Sequence, residues 1–334
     1  MAKKIDSLQY LRAFAALWVL LTHVLQMLNI NPGGVSFAGQ WGVDIFFLLS
    51  GFIIYLTTRD HSSWKAFAIK RVFRIFPAYW LCLIIYILYS AIYNDGGYNC
   101  LNIIQNVLMI PFSEPIGFSS LIVGQAWSTC YEMYFYFLLA VLLVFGVSKK
   151  WLLPLILILF FLGYALSGFL PMDGLVGYLY SLIGKHHVLF FCEGIIIARF
   201  HEWIRDFKIK KSLLIVISII SLLFYCFILC QQYGFVISFI ASPLFFFIVY
   251  KANEILPEKG VVNKVMVTLG DISFSIYLIH LVVIRFLLNQ CGIDGFVLLL
   301  CTSFILTIAF SLLSYYMIEK KFMDLGKKIS AHLR

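Results

Sequence analysis

The sequence predicts an all-α integral membrane protein, a bundle of about ten transmembrane helices with both termini on the cytoplasmic side. Three observations carry this: the composition, the recurrence of apolar runs of bilayer length, and the places where basic residues fall. Of 334 residues, 62% are hydrophobic and only 12% are charged, with a mean hydropathy of +0.96. Soluble domains have roughly 45–50% apolar and 25% charged residues, so an ordinary soluble domain is excluded. Lys and Arg number 25 against 16 Asp and Glu. That surplus does not point to nucleic acid, because the basic residues lie between the apolar runs, where membrane topology places them.

A helix needs about 20 apolar residues to cross ~30 Å of hydrocarbon. Runs of that order cover 8–28, 42–58, 75–93, 127–146, 151–169, 178–199, 212–230, 234–250, 266–288 and 295–316, the second and eighth being short. The first has no small-residue cleavage site after a short apolar core, so it is expected to be retained as a span. Between the runs the charge alternates. Lys3 and Lys4 precede the first run and 29–41 holds no basic residue; Arg59, Lys65, Lys70, Arg71 and Arg74 follow, and 94–126 holds none. Lys149 and Lys150 come next, then Lys185 alone, then Arg205, Lys208, Lys210 and Lys211. After 231–233, which has none, come Lys251, Lys259 and Lys264, then the empty 289–294, then Lys320, Lys321, Lys327, Lys328 and Arg334. Every second connection is basic, which puts those connections and both termini inside. The long outer connection 94–126 contains Asn94, Asp95, Gly96, Gly97, Pro111 and Pro115, and connections of that length are often functional. The chain is expected to form one transmembrane domain over residues 1–334, with no soluble domain after the last run.

Several titratable residues interrupt the apolar runs, and each is expensive in lipid unless the bundle faces it inward. His23 sits in "WVLLTHVLQML". It follows Arg12 by eleven residues, three helical turns plus about 20°, so the two share a stripe of the first helix ~16 Å apart along its axis. Asp44 opens the second helix, Glu132 lies early in the fourth, and His280 lies in the outer half of the ninth. A lone residue of this kind reads equally well as a packed helix contact. Two histidines and several acids at similar depth point instead to general acid–base chemistry, in which a carboxylate holds an imidazole in one tautomer. On the inner side, "KRVFRIFPAYW" puts Lys70, Arg71 and Arg74 ahead of the third helix. Arg71 and Arg74 share a helix face, and guanidinium forks match phosphate oxygens; the plain alternative is a positive-inside anchor. Arg12, inside a span, is a third candidate for the same anion.

In that order, "LQYLRAFAALWVLLTH", "GVDIFFLLSGFII", "FAIKRVFRIFPAYW", "AWSTCYEMYFY" and "GDISFSIYLIH" closely resemble the successive motifs of the bacterial membrane-bound acyltransferase 3 family. They span residues 8–280. The resemblance implies a ten-helix enzyme of the bacterial inner membrane that takes an acyl group, usually acetyl, from cytoplasmic acyl-CoA. The acceptor would be a sugar hydroxyl of an extracytoplasmic or lipid-linked glycan such as lipopolysaccharide O-antigen, capsule or exopolysaccharide. By that likeness His23 is the essential first-helix histidine, Arg12 its "LR" partner, Asp44 the acid of "GVD", Arg71 and Arg74 the "RxxR" pair, and Glu132 the acid after "WS". Tyr277 and His280 match the late "YLxH" motif and, with Trp127, are candidates for binding the acceptor. His23 would act as a general base or as a nucleophile carrying an acyl-imidazole, with Asp44 or Glu132 orienting it. Arg12, Arg71 and Arg74 would hold the nucleotide phosphates of acetyl-CoA. Thr129, Cys130 and Phe274 depart mildly from the family pattern, and none of these removes a titratable group. Some members carry a fused esterase-like domain, which is not expected here.

Other residues carry less. The eight cysteines show no zinc spacing, and Cys100 and Cys291 are the one pair expected on the outer side. His186, His187 and Glu193 lack a third ligand at a usual spacing, so no metal is expected. Glu193, inside the sixth run, nevertheless needs a partner. Trp127, Tyr131, Tyr134 and Tyr136 near Glu132 would suit a sugar-stacking wall. A proton-coupled secondary transporter of a small or lipid-linked substrate, with His23, Glu132 and His280 as relay, is the alternative from another class. The inner arginine cluster aligned with Arg12 favours the acyl-CoA enzyme, since such a carrier does not need it.

Overall fold

The computed structural model describes residues 6–333 apart from 31, 59–62, 94–96, 111–120, 167–168, 170–173, 211, 218, 221–234 and 253–259. Among the described residues every regular element is helical. That follows from the solvent: in hydrocarbon each backbone N–H and C=O must be bonded internally, and a helix does this within one segment. In chain order the helices are α1 (Asp6–Met27), α2 (Pro32–Thr57), α3 (Trp64–Tyr93), α4 (Cys100–Leu108), α5 (Trp127–Val144), α6 (Leu152–Leu166) and α7 (Gly174–Ile183). They continue with α8 (His187–Arg199), α9 (His201–Asp206), α10 (Phe235–Ala252), α11 (Val261–Asp271), α12 (Ser273–Asn289), α13 (Phe296–Ser314) and α14 (Lys320–Ala331). A π-helical turn, Tyr315–Glu319, joins the last two.

Six helical stretches are long and apolar enough to cross a membrane: Asp6–Met27, Gly39–Thr57, Trp64–Tyr93, Gly124–Val144, Lys149–Leu166 and Phe296–Ala331. The chain is thus a multi-pass membrane protein, but the described residues account for six spans, or seven with one bent pair, rather than ten. The differences have local causes. The expected span 266–288 is two helices, α11 and α12, bent by 70° at Ile272. The expected span 178–199 is interrupted at Gly184, Lys185 and His186, between α7 and α8. The expected span 234–250 is α10, in which Ser238–Lys251 is an apolar helix among the described residues, and most of 212–230 lies outside the described residues. A hydropathy window averages across such breaks and does not register them. Two helices also run on beyond their apolar cores. α3 starts at Trp64, so Lys70, Arg71 and Arg74 lie within it, and α13 continues through the π turn into α14.

The chain divides into two compact units, residues 1–56 with 193–311 and residues 57–192 with 312–334. In the first, α10, α11 and α12 pack on α1, around a core that includes Leu11, Ala15, Ile45, Leu48, Phe52 and Phe246. Phe14 lies 5.6 Å from Trp18 and 4.8 Å from Phe245, and Trp41 lies 5.6 Å from Trp18, ring centroid to centroid. Two glycines decide how closely these helices approach. A Cβ on Gly270, at the bend between α11 and α12, would collide with the backbone of Gln9 on α1. A Cβ on Gly42 of α2 would lie 2.7 Å from Val19 Cγ2 and 2.9 Å from the Ala15 carbonyl oxygen, which fixes where α2 crosses α1, one turn before His23. Gly42→Leu is therefore expected to lower stability by about 1–3 kcal/mol through overpacking, read as a fall in Tm of the detergent-solubilised protein. An unchanged Tm would mean that the two helices separate at little expense.

In the second unit α5 and α14 both pack on α3. Between α3 and α5, Tyr79 Oη donates to the Asn106 carbonyl at 2.8 Å, and the Ile122 N–H donates to Asn106 Oδ1 at 2.8 Å. Asn106 is fully buried, so both carbonyl groups find partners without water.

Candidate active site

In the first unit, His23 lies in the last two turns of α1 and is half-buried, while His280, in the middle of α12, is fully buried. The rings meet. His280 Nε2 is 3.3 Å from His23 Nδ1, with centroids 5.0 Å apart. His23 Nδ1 is also 2.8 Å from the Val19 carbonyl oxygen, and His280 Nδ1 is 3.2 Å from that of Ile276. A carbonyl oxygen only accepts, so the nitrogen facing it carries the proton. His23 therefore holds its proton on Nδ1 and keeps Nε2 as a lone pair. The side chain bonded to His23 is thus a second histidine, where the sequence reading looked to a carboxylate. Tyr277, one turn before His280, has its ring 5.9 Å from both His280 and Phe46 of α2.

Asp44 is buried on α2, two residues after Gly42. Ser238 of α10 hydrogen-bonds to it, and Glu193 of α8 lies within its electrostatic reach. Glu193, itself buried, leaves Oε2 without a hydrogen bond among the described residues. Arg12 lies in the second turn of α1 and is half-buried; α1 is unbroken from Asp6 to Met27, so the ~16 Å axial distance to His23 stands. Arg285 on α12 was not singled out in the sequence, yet its charge acts on His23. The signal was present: it is the one charge in "IHLVVIRFLL".

The second unit gathers the other candidates. Arg71 lies over two rings, 4.9 Å from the centroid of Tyr136 and 5.2 Å from that of Phe67, and its Nε makes no hydrogen bond to a described residue. Arg74, one turn on, is under the charge of Glu132 on α5 and of Glu319 in the π turn. Tyr136 hydrogen-bonds to Glu132. Glu132 therefore belongs to the arginine cluster within this unit. Glu319, buried, is a second residue the sequence reading missed: it ends "YYMIE" just before Lys320 and Lys321, where it passes for part of a basic connection. A π turn adds a residue to the helical repeat and often marks a functional position. Trp127, at the start of α5, packs against Tyr131 and His187, with centroids 6.0 and 5.0 Å away. Trp127, Tyr131, Tyr134 and Tyr136 all lie on α5, with 127 and 136 about 13.5 Å apart along its axis. Cys100 and Cys291, the expected outer pair, are both free.

Comparison with known proteins agrees with the motifs. The model of the acyltransferase domain matches residues 5–316. A Staphylococcus aureus (strain COL) protein named "Putative O-acetyltransferase" is 26% identical over 97% of this chain and 58% of its own length. Exopolysaccharide production protein ExoZ of Rhizobium meliloti (strain 1021) is 27% identical over 72% of the chain and 75% of its own length. Nodulation protein 10 of Rhizobium leguminosarum bv. viciae is 35% identical over 30% of the chain and 28% of its own. The chain thus spans a little under three-fifths, 58%, of the staphylococcal relative. No solved structure matches significantly. With the family match covering nearly the whole chain, the chain belongs to the acyltransferase 3 family.

Proposed function

We propose that the chain is an O-acyltransferase that moves an acyl group, acetyl before others, from cytoplasmic acyl-CoA to a sugar hydroxyl of an extracytoplasmic or lipid-linked glycan. The observation that carries this reading is His23: a titratable side chain within an apolar helix, with its proton held on Nδ1 by a backbone carbonyl and Nε2 free to accept another. Nε2 takes the proton of the sugar hydroxyl as the oxygen attacks the acetyl carbonyl carbon. The C–S bond breaks, CoA leaves as a thiolate, and the imidazolium returns the proton to it. Arg71 and Arg74 hold the phosphates of CoA; Arg71, whose Nε bonds no described residue, is the better prepared of the two. Glu132 and Glu319 keep Arg74 in place. Asp44 lies two residues before Phe46, whose ring meets Tyr277 beside His280, and Tyr277 is a stacking surface for the acceptor. The name of the rhizobial relative favours an exopolysaccharide or related envelope glycan as acceptor. The bacterial inner membrane, with both termini cytoplasmic, is the location consistent with the alternation of basic connections.

The test is acetyl transfer by purified protein in lipid nanodiscs, supplied with labelled acetyl-CoA and a glycolipid extract of the host strain. Label on glycan is expected. Absence of both transfer and acetyl-CoA binding would overturn the reading and favour a proton-coupled carrier.

A further inference from the structure

We infer that His280 is the positioning residue for His23, doing with a neutral imidazole what a carboxylate does in other histidine sites, and that it does not touch the acceptor itself. The inference rests on the transferase reading above and specifies how its base is held.

Two backbone carbonyl oxygens and three ring nitrogens lie in series. The Ile276 carbonyl, with that of Tyr277 also in reach, accepts from His280 Nδ1, so this nitrogen carries the proton of the neutral ring. His280 Nε2 is then a lone pair, and it points at His23 Nδ1 from 3.3 Å. His23 Nδ1 must carry a proton, because the Val19 carbonyl oxygen is 2.8 Å away. One N–H of His23 is therefore shared between an oxygen and a nitrogen acceptor, and only Nε2 of His23 is left to react. Every donor in the series meets an acceptor, and no other assignment of two neutral rings does so. A proton on His280 Nε2 would face the Nδ1 proton of His23, donor against donor.

The arrangement distinguishes the two histidines chemically. When His23 accepts a proton at Nε2, its Nδ1–H bond to His280 becomes charge-assisted and shortens. His280 is fully buried at 0% exposure and its ring is locked between α12 backbone and His23, so it holds the ring plane of His23 through the reaction. The Val19 carbonyl cannot do this alone, because it lies on the same helix as His23 and constrains one edge of the ring only. A carboxylate in place of His280 would add a full negative charge to an apolar interior, at considerable expense unless a cation were paired with it. A neutral acceptor avoids that expense.

Two amides of similar polarity separate this role from simple packing. In His280→Asn the side-chain amide occupies the place of Nδ1 and keeps the bond to the backbone, but falls short of His23. In His280→Gln the amide oxygen reaches the place of Nε2 and accepts from His23. With both variants, wild type and His23→Ala in nanodiscs, acetyl-CoA is varied against the glycolipid fraction that accepts label. His280→Asn is expected to lose ~100-fold in kcat, part of the 10²–10⁴ that a positioned base contributes, with His280→Gln within ~10-fold of wild type. KM for acetyl-CoA should stay within about twofold in both, since neither amide touches the donor. Equal kcat values for the two amides, or a change confined to KM, would overturn the inference while leaving the transferase reading intact. A fully active His23→Ala would overturn this inference together with the role of His23 as base, and a wild type that neither transfers label nor binds acetyl-CoA would overturn the transferase reading as well.

Discussion

His23→Ala is expected to leave a protein that folds and binds acetyl-CoA but transfers acetyl ~10²- to 10⁴-fold more slowly, the range a positioned general base supplies. The direction follows from where the residue sits. His23 is on α1, whose close approaches to the α2 glycines run through Ala15, Val19 and Thr22 and not through the imidazole, so truncating the imidazole leaves the helix crossing intact. What disappears is Nε2, the one nitrogen of the histidine pair with no proton and no partner among the described residues. The measurement is kcat under saturating acetyl-CoA, with Tm and acetyl-CoA affinity as controls. Parallel loss of affinity and activity would mean that His23 is a structural contact.

The second large effect is expected at the arginine pair, where the two residues should fail differently. Arg71 is held by aromatic faces and has hydrogen-bonding capacity to spare. Arg71→Ala should raise KM for acetyl-CoA ~10- to 100-fold, from the ~1.5–3 kcal/mol of a hydrogen bond to a charged group, with little change in Tm. Arg71→Lys should recover only part of this, because an ammonium keeps the charge and loses the planar fork. Arg74 is already compensated: Glu132 and Glu319 both act on it. Removing it takes the cation from the buried Glu319 and the half-buried Glu132, and breaking a fully buried pair is destabilising by ~3–5 kcal/mol, an upper bound here. Arg74→Ala should therefore lower Tm markedly, and Arg74→Ala combined with Glu319→Gln should regain part of the loss. Equal effects of the two arginines on KM with no difference in Tm would show that both contact phosphate alike and that Glu319 is not a partner.

The membrane class, the apolar helices, the alternation of basic connections and the family motifs were all legible in the sequence, because each depends on residue type and local order alone. Lipid admits only self-satisfied backbone, so hydropathy and helix periodicity locate α1, α3, α5 and α6 with few alternatives. The important residue types could be picked out for the same reason: His23, Asp44, Glu132 and His280 are conspicuous in apolar runs. Their partners could not. His280 lies 257 positions from His23, and nothing local to either says that α12 brings the two rings together; that depends on Gly270 allowing the bent α11–α12 pair to lie against α1. Glu132 reads from the sequence as a base partner, and nothing local to it shows that α5 packs on α3 so as to bring it within reach of Arg74. Glu319 reads as surface charge until a π turn brings it inward. Composition and periodicity are properties of a segment, whereas hydrogen-bond partnership is a property of packed surfaces distant in the chain, and only the packed helices specify it.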